Sequence, residues 1–245
     1  MHLFALSFRC IQLPLCAIFL FVLRSVSPLC AQDTSFPNFT YQAPENTVTK
    51  TRVLGRARGP KNARTPDILV LSPDHIASTF RERPVLFYYL SKPVNATLQF
   101  AITERSSFEP LIEQELRVEQ EKGIQKIDLS KYKISLQESA NYRWSVFYVL
   151  DPDNRSLDVF TSGFVKRIKP NPELEKELEK CSGDKARQAA LLAKNGIWYD
   201  ALELLSSAIE EGGKNTSRLK KVRADILKQS GLDLSKFNQL ADATP

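Results

Sequence analysis

Histidine and cysteine are scarce in this sequence, with two and four copies in 245 residues. A Ser-His-Asp or Cys-His enzyme needs a histidine beside its nucleophile, and a structural zinc site needs about four nitrogen or sulfur ligands. The sequence also has no GxxxxGK[ST] phosphate loop and no GxGxxG turn. These absences argue against triad hydrolases, zinc proteins and the common nucleotide-binding folds.

Long apolar runs are also scarce, and only the N-terminal region carries one. Residues 11–23 are almost entirely apolar, Arg9 precedes them, and Ala31 ends the segment before polar residues begin. This layout is typical of a secretory signal peptide, and the run is shorter than the roughly 20 residues of a membrane-spanning helix. We predict that residues 1–31 are a signal peptide, cleaved after Ala31, and that the protein is exported to the periplasm, the envelope or the medium. An uncleaved anchor is the alternative.

Cleavage at this point changes the chemistry that the mature chain can perform. It removes His2 and three of the cysteines, leaving His75 and Cys181. A single cysteine cannot form an intramolecular disulfide, so the mature chain depends on its hydrophobic core. We predict no catalytic residue, no cofactor and no metal ligand.

Positive charge is concentrated in residues 32–66, which are rich in Pro, Asn, Thr and Gly and show no apolar period. The segment contains six cations and has no acid after Glu45: Lys50, Arg52, Arg56, Arg58, Lys61 and Arg64. Such a composition predicts a basic disordered arm. The arm is either an electrostatic tether to an anionic envelope surface or a solvated linker. Because the rest of the chain is balanced in charge, we do not expect a nucleic-acid partner.

Period-two alternation begins at residue 67 and continues to residue 168, which predicts a domain of short strands. The strands are expected at residues 68–71, 84–90, 96–104, 110–118, 123–129, 142–150 and 157–168. Seven short strands without intervening helices suggest an antiparallel sandwich. Tyr142 follows Leu136 at the spacing of a tyrosine corner, which favours an immunoglobulin- or fibronectin-like version.

The chain becomes helical after Ile168. Helical patterns cover residues 173–180, 184–194, 197–211 and 217–229, and Gly196 stands where a helix C-terminal cap is expected. The spacing of Gly196, Ala201 and Ala208 is that of a tetratricopeptide-like hairpin. We therefore predict an α+β protein: a β-sandwich at 67–168, a helical hairpin region at 169–231 and a flexible tail at 232–245.

The last two predicted strands have apolar side chains on both faces. Phe147 and Val149 lie opposite the face of Tyr142, and Phe160 and Phe164 repeat this pattern on the next strand. A sheet that is apolar on both faces needs cover. We expect the helices to supply it, with Trp198 and Tyr199 docking as a wedge onto Phe147 and Phe164. The alternative is that these side chains form a surface for a partner.

Acidic and amide side chains cluster in the turn between these two strands, at Asp151, Asp153, Asn154 and Asp158. Such oxygen ligands could bind calcium, although the spacing is not that of a helix-loop-helix calcium site. A hairpin turn that uses Pro, Asp and Asn for backbone reasons explains the same residues. We expect the turn.

Three segments together resemble the bacterial, largely cyanobacterial family known as Domain of Unknown Function 928. They are RPVLFYYLSKP at 83–93, NYRWSVFYVLDPDNRSLDVFTSGFVKRI at 141–168 and GIWYDALELL at 196–205. The resemblance covers about residues 64–208 and implies an exported protein, since members usually begin with a signal peptide. It supplies no activity, ligand or catalytic residue. The family pattern has a cysteine where this chain has Leu150 and Asp151, which argues against redox chemistry there.

These observations favour an exported, non-enzymatic module of the periplasm or envelope that binds or scaffolds a protein partner. Once the signal is removed, it should not be an integral membrane protein. The alternative is a hydrolase of envelope glycans, because that chemistry requires only two suitably placed carboxylates. Whether the protein is an enzyme stays open at this point.

Overall fold

The computed structural model describes residues 36–45, 52–53, 66–116 and 119–235. The predicted signal peptide, five of the six arm cations and most of the predicted tail lie outside these residues. None of the helices in the described ranges is long and apolar enough to span a membrane.

The described strands form two main sheets and one short pair. The strand bounds are β1 (Ile68–Val70), β2 (Ala77–Thr79), β3 (Val85–Leu90), β4 (Val94–Asn95), β5 (Leu98–Glu104), β6 (Ile112–Glu115), β7 (Glu119–Gln120), β8 (Gly123–Asp128), β9 (Asn141–Tyr148) and β10 (Val159–Arg167). The five-stranded sheet has the order β2-β10-β9-β5-β6, the three-stranded sheet has the order β1-β3-β8, and β4 pairs with β7. All neighbours are antiparallel except β2 and β10.

Four helices follow the strands: α1 (Pro172–Lys180), α2 (Lys185–Lys194), α3 (Trp198–Glu210) and α4 (Thr216–Gln229). Side-chain caps fix where the first two begin, because Asn171 accepts from the N–H of Leu174 and Asp184 from that of Arg187. Gly196 lies between α2 and α3 with φ at 74°, a conformation that favours glycine. The α+β class is confirmed, whereas the immunoglobulin-like and tetratricopeptide-like assignments stay predictions.

The inner faces of the sheets form one hydrophobic core. Trp144, Phe100 and Tyr142 are buried there, together with side chains from α3. The phenol oxygen of Tyr142 accepts a hydrogen bond from the backbone N–H of Gln137 at 3.0 Å. This is the bond back to the upstream backbone that a tyrosine corner makes.

Part of the predicted arm packs against the folded domain. Tyr41 contacts Trp198, the N–H of Gln42 donates to the carbonyl of Ala193, and Arg52 donates to the carbonyl of Ser72. Residues 36–45 and 52–53 therefore differ from the prediction of disorder over 32–66. Composition describes the average character of a segment, but these residues are held by individual aromatic and guanidinium contacts.

Candidate functional site

The segment GIWYDAL binds the helices to the strands and their connections through three consecutive side chains. The indole Nε1 of Trp198 donates to the carbonyl of Leu71 at 2.8 Å. The phenol of Tyr199 donates to the carbonyl of Phe164 at 2.8 Å. Both side chains are fully buried, and burial raises the pKa of the Tyr199 phenol. They form a docking wedge, and neither residue lines either of the two grooves described below.

The wedge docks at a different place from the one predicted. Tyr199 contacts the backbone of Phe164 and accepts a hydrogen bond from Trp144, while Trp198 contacts Leu71. The ring of Phe147 instead stacks on that of Phe160, with centroids 5.7 Å apart. Strand parity explains the correction, because Trp144 points to the inner face and Phe147 to the outer one.

The third side chain, Asp200, brings two carboxylates together. Asp200 accepts from the N–H of Phe80 at 2.8 Å and from the Thr79 hydroxyl at 3.2 Å. The Nε atom of Arg81 lies 3.3 Å from an oxygen of Asp200 and 3.2 Å from one of Glu203. Burial raises the pKa of both acids, and the guanidinium of Arg81 opposes it. Asp200 is almost entirely buried, so its oxygens hold the β2–β3 connection rather than a substrate.

His75 lies in a polar and aromatic cluster at the end of the arm. Its Nε2 atom is 2.7 Å from the Tyr41 hydroxyl, and the two rings are stacked. Burial lowers the pKa of His75, and the neighbouring Asp74 opposes this shift. Asp74 also accepts from the N–H of Arg52. The histidine therefore anchors the arm through its Nε2 atom.

The acids of the β9–β10 turn make local contacts. Asp151 accepts from the N–H of Asp153 at 2.9 Å, Asn154 accepts from the Ser156 hydroxyl, and Asp158 pairs with Arg155 at 2.5 Å. These are the contacts of a hairpin turn. Across the described ranges, no three His, Cys, Asp or Glu side chains are grouped to hold a metal ion.

Two grooves cross the described surface. One, of about 420 Å³, lies beside β8 and is lined by polar side chains with Tyr88 and Tyr132. The other, of about 610 Å³, lies between residues 36–39 and α4. Neither groove is lined by Asp200, Glu203 or His75.

A family model described as Domain of Unknown Function (DUF928) matches residues 53–241, which is most of the chain. The chain belongs to the DUF928 family. No curated protein and no solved structure gives a significant match. The predicted family is therefore confirmed, while a bacterial origin stays a prediction. The DUF928 match includes the GIWYDAL segment and both main sheets, but not arm residues 36–45.

The DUF928 domain leaves one face of its five-stranded sheet outside the hydrophobic core. We call this the outer face and define it by strand register as three rows across the strands. One outer row contains Gln99, Phe147 and Phe160, the middle row Ala101, Ser145 and Ser162, and the other outer row Thr103, Arg143 and Phe164. Arg105 lies over the ring of Phe164 at 5.9 Å.

The helices do not cover the exposed part of this face. Helix α3 packs on β2 and β3, and Phe160 is 40% exposed. Phe147 and Phe164 are half-buried. Val149 is buried, which removes it from the predicted surface. The expectation that the helices would cover Phe160 is wrong because their wedge binds Leu71 and strands β9 and β10 from the inner side.

Arg52, one of the six cations of the predicted electrostatic tether, binds the folded domain instead. The guanidinium of Arg52 donates to the carbonyls of Ser72 and Gly231, both at 3.1 Å, and is half-buried. Arg52 therefore serves the fold. The other five cations lie outside the described residues: Lys50, Arg56, Arg58, Lys61 and Arg64.

Proposed function

We propose that this DUF928 protein is an exported, non-enzymatic binding module that engages a protein partner through its outer face. One observation carries the proposal. Phe160 on the outer face is 40% exposed and stacks on the half-buried ring of Phe147, so the two rings form one apolar patch there. The other exposed large apolar side chains among the described residues lie outside these rows: Val53, Phe108, Leu111 and Leu150. A contiguous apolar patch on a surface is typical of interaction sites.

The sizes of the side chains in the three rows lead us to infer a shallow trough on the outer face. The residues of its middle row are small and buried, and they form the floor. Phe147 and Phe160 form one wall, and Phe164 with Arg143 forms the other. The two walls are four residues apart along each strand, or about 13 Å at roughly 3.3 Å per residue.

This relief favours a protein segment with a ridge of aliphatic side chains. The ridge would contact the aromatic walls, and a carboxylate beside it would pair with the exposed Arg143. Glu113 and Glu115 flank the trough on edge strand β6. Their charges disfavour addition of another strand at that edge, so recognition should use the face.

The polar side chains that could suggest catalysis have structural roles instead. Trp198, Tyr199 and His75 each form a hydrogen bond within the fold, and that bond explains their presence without a catalytic function. The sole favourable sign for a glycan hydrolase is the pair of acids with raised pKa, Asp200 and Glu203. Asp200 is bound to the backbone, and neither acid lines either groove described above.

Export rests on the layout of residues 1–31, and the sandwich and hairpin likenesses agree with a binding module. The export test is mass spectrometry of the protein recovered from the cell envelope. We expect an N-terminus at Gln32. Recovery only from the cytoplasm, with Met1 retained, would reject export without affecting the outer-face proposal.

The binding test uses three variants of the mature chain with the same type of substitution. Phe147→Ser and Phe160→Ser remove the wall of the trough, while Phe108→Ser removes a fully exposed ring from the β5–β6 loop. Circular dichroism should show the native fold in all three. A partner captured from envelope extract is then purified and titrated directly.

We expect the two face variants to weaken direct binding at least about tenfold and Phe108→Ser to leave it unchanged. Equal binding by all variants would overturn the assignment of the surface. Hydrolysis of envelope glycans that is lost in Glu203→Gln would instead support the enzyme alternative.

A further inference from the structure

Arm residues 36–45 lie against the helical region as a peptide ligand would. They form no helix or strand. The N–H of Tyr41 donates to the side-chain oxygen of Gln229 on α4 at 2.9 Å. The next N–H, that of Gln42, donates to the carbonyl of Ala193 at the end of α2 at 3.1 Å. Two consecutive donors thus bind two different helices.

Three aromatic side chains anchor this segment at its first, fourth and sixth positions. Phe36 and Phe39 pack on an apolar cluster that includes Leu219 and Ile226. Tyr41 packs edge-on against Trp198, with centroids 4.8 Å apart, and its hydroxyl binds His75. The helical region therefore recognises both the backbone and the side chains of the segment.

The groove is shaped for close contact at one end and is roomy at the other. A Cβ atom on Gly196 would stand 3.0 Å from the Gln42 carbonyl oxygen and from Pro44, so glycine allows the segment to lie directly on the α2–α3 turn. Beside residues 36–39, the groove of about 610 Å³ is left between the segment and α4. There Arg218 stacks over Phe36 at 3.9 Å.

We infer that residues 36–45 are a detachable arm, and that the groove they occupy accepts the same arm from a second copy to form an arm-exchanged dimer. The contacts made within one molecule can all be made between two, which is why exchange of identical elements is a low-cost route to dimers. Removal of the predicted signal would leave only residues 32–35 before the arm. A nearly free end can leave the groove without unfolding the sheets.

The first test mixes two variants of the mature chain that carry different tags. The arm variant combines Phe39→Ala with Tyr41→Ala, and the groove variant combines His75→Ala with Gln229→Ala. The parent should dimerise with rising concentration, and each variant alone should stay monomeric. Their mixture should give a heterodimer, because one intact arm meets one intact groove. A monomeric parent and mixture, or a dimer unchanged by both variants, would overturn the inference.

A second measurement guards against a variant that does not fold. A fluorescent peptide of residues 36–45 is titrated into the arm variant and into the parent, after circular dichroism has verified both. The peptide should bind the arm variant at least about tenfold more tightly, since the parent's own arm competes. No binding to a folded arm variant would contradict the proposal. The result leaves the outer-face proposal untouched, because the two surfaces share no residue.

Discussion

The indole Nε1 of Trp144 donates a hydrogen bond to the phenol oxygen of Tyr199 at 2.9 Å, and both side chains are fully buried. Trp144 lies in the middle of the central strand β9, and Tyr199 lies in the first turn of α3. The same phenol donates to the backbone of β10. One hydroxyl group therefore connects two strands with the helical region.

Removal of that hydroxyl should weaken the whole fold. Tyr199→Phe leaves the Trp144 N–H and the Phe164 carbonyl without their buried partner. We expect the free energy of unfolding to fall by about 1–3 kcal/mol, which urea denaturation would measure. Tyr148→Phe, at a half-buried tyrosine of the same strand, is the control and should have a smaller effect. Equal stability of the two variants would contradict this role.

Gly163 should be intolerant of any side chain. A Cβ atom there would stand 2.4 Å from the Cβ and 2.6 Å from the Oγ of Ser72. Gly163→Ala is therefore expected to reduce stability by about 2–3 kcal/mol through overpacking. Combining it with Ser72→Gly should recover part of this loss, and the double-mutant cycle measures the coupling. Additive losses would show that the close approach is not the cause.

The two carboxylates beside Arg81 should differ in their importance for stability. Asp200→Ala leaves the half-buried N–H of Phe80 and the buried Thr79 hydroxyl without their acceptor, so we expect a loss of about 3 kcal/mol. Glu203→Ala removes a partly exposed acid that competes for the same guanidinium, and its effect should be below about 1 kcal/mol. Thermal and urea unfolding of the pair check the order. Similar losses would mean that Glu203 also supports the fold.

His75 should make the protein less stable in acid. Burial lowers the folded-state pKa of His75 below its ordinary 6.5, and this exceeds the opposing effect of the neighbouring Asp74, which also binds the N–H of Arg52. The unfolded chain therefore binds the proton first as the pH falls. The stabilising contribution is complete above about pH 6.5 and is lost as the pH drops through the folded-state pKa, by at most about 1.4 kcal/mol per pH unit.

The measurement is the free energy of unfolding between pH 7.5 and 5 for the parent and for His75→Gln, which keeps a side chain able to bind the Tyr41 hydroxyl. The difference in the free energy of unfolding between the parent and the variant should diminish or reverse as the pH falls. The other titrating groups are the same in both proteins, so their contributions cancel in this difference. A constant difference over this range would show that His75 does not titrate between the two states.

Much of the architecture follows from local pattern. The helices and the long strands β9 and β10 match their predicted positions because each has a clear apolar period and a capping or turn residue at its ends. Strand β2, Ala77–Thr79, was not predicted. It has three residues, two of them polar, and its parallel pairing with β10 is set by contacts that local sequence does not contain.

The sequence predicts that the helices dock through Trp198 and Tyr199, but it does not predict where these side chains bind. The large rings in GIWYDAL indicate burial, but they do not identify the hydrogen-bond acceptors, which are main-chain carbonyls of Leu71 and Phe164. The contacts of the arm could not be predicted either. The segment is rich in polar residues, and the partners of Tyr41, which are His75, Trp198 and Gln229, are far away in the sequence.

The bond from Trp198 to Leu71 joins residues separated by 127 positions, and it also determines when the fold can be completed. During synthesis, the first strands emerge long before the Trp198 side chain that binds them. The core shared by the sheets and α3 stays incomplete until GIWYDAL has emerged. Contacts of such range slow folding, so the last step of folding has to follow the synthesis of residue 200.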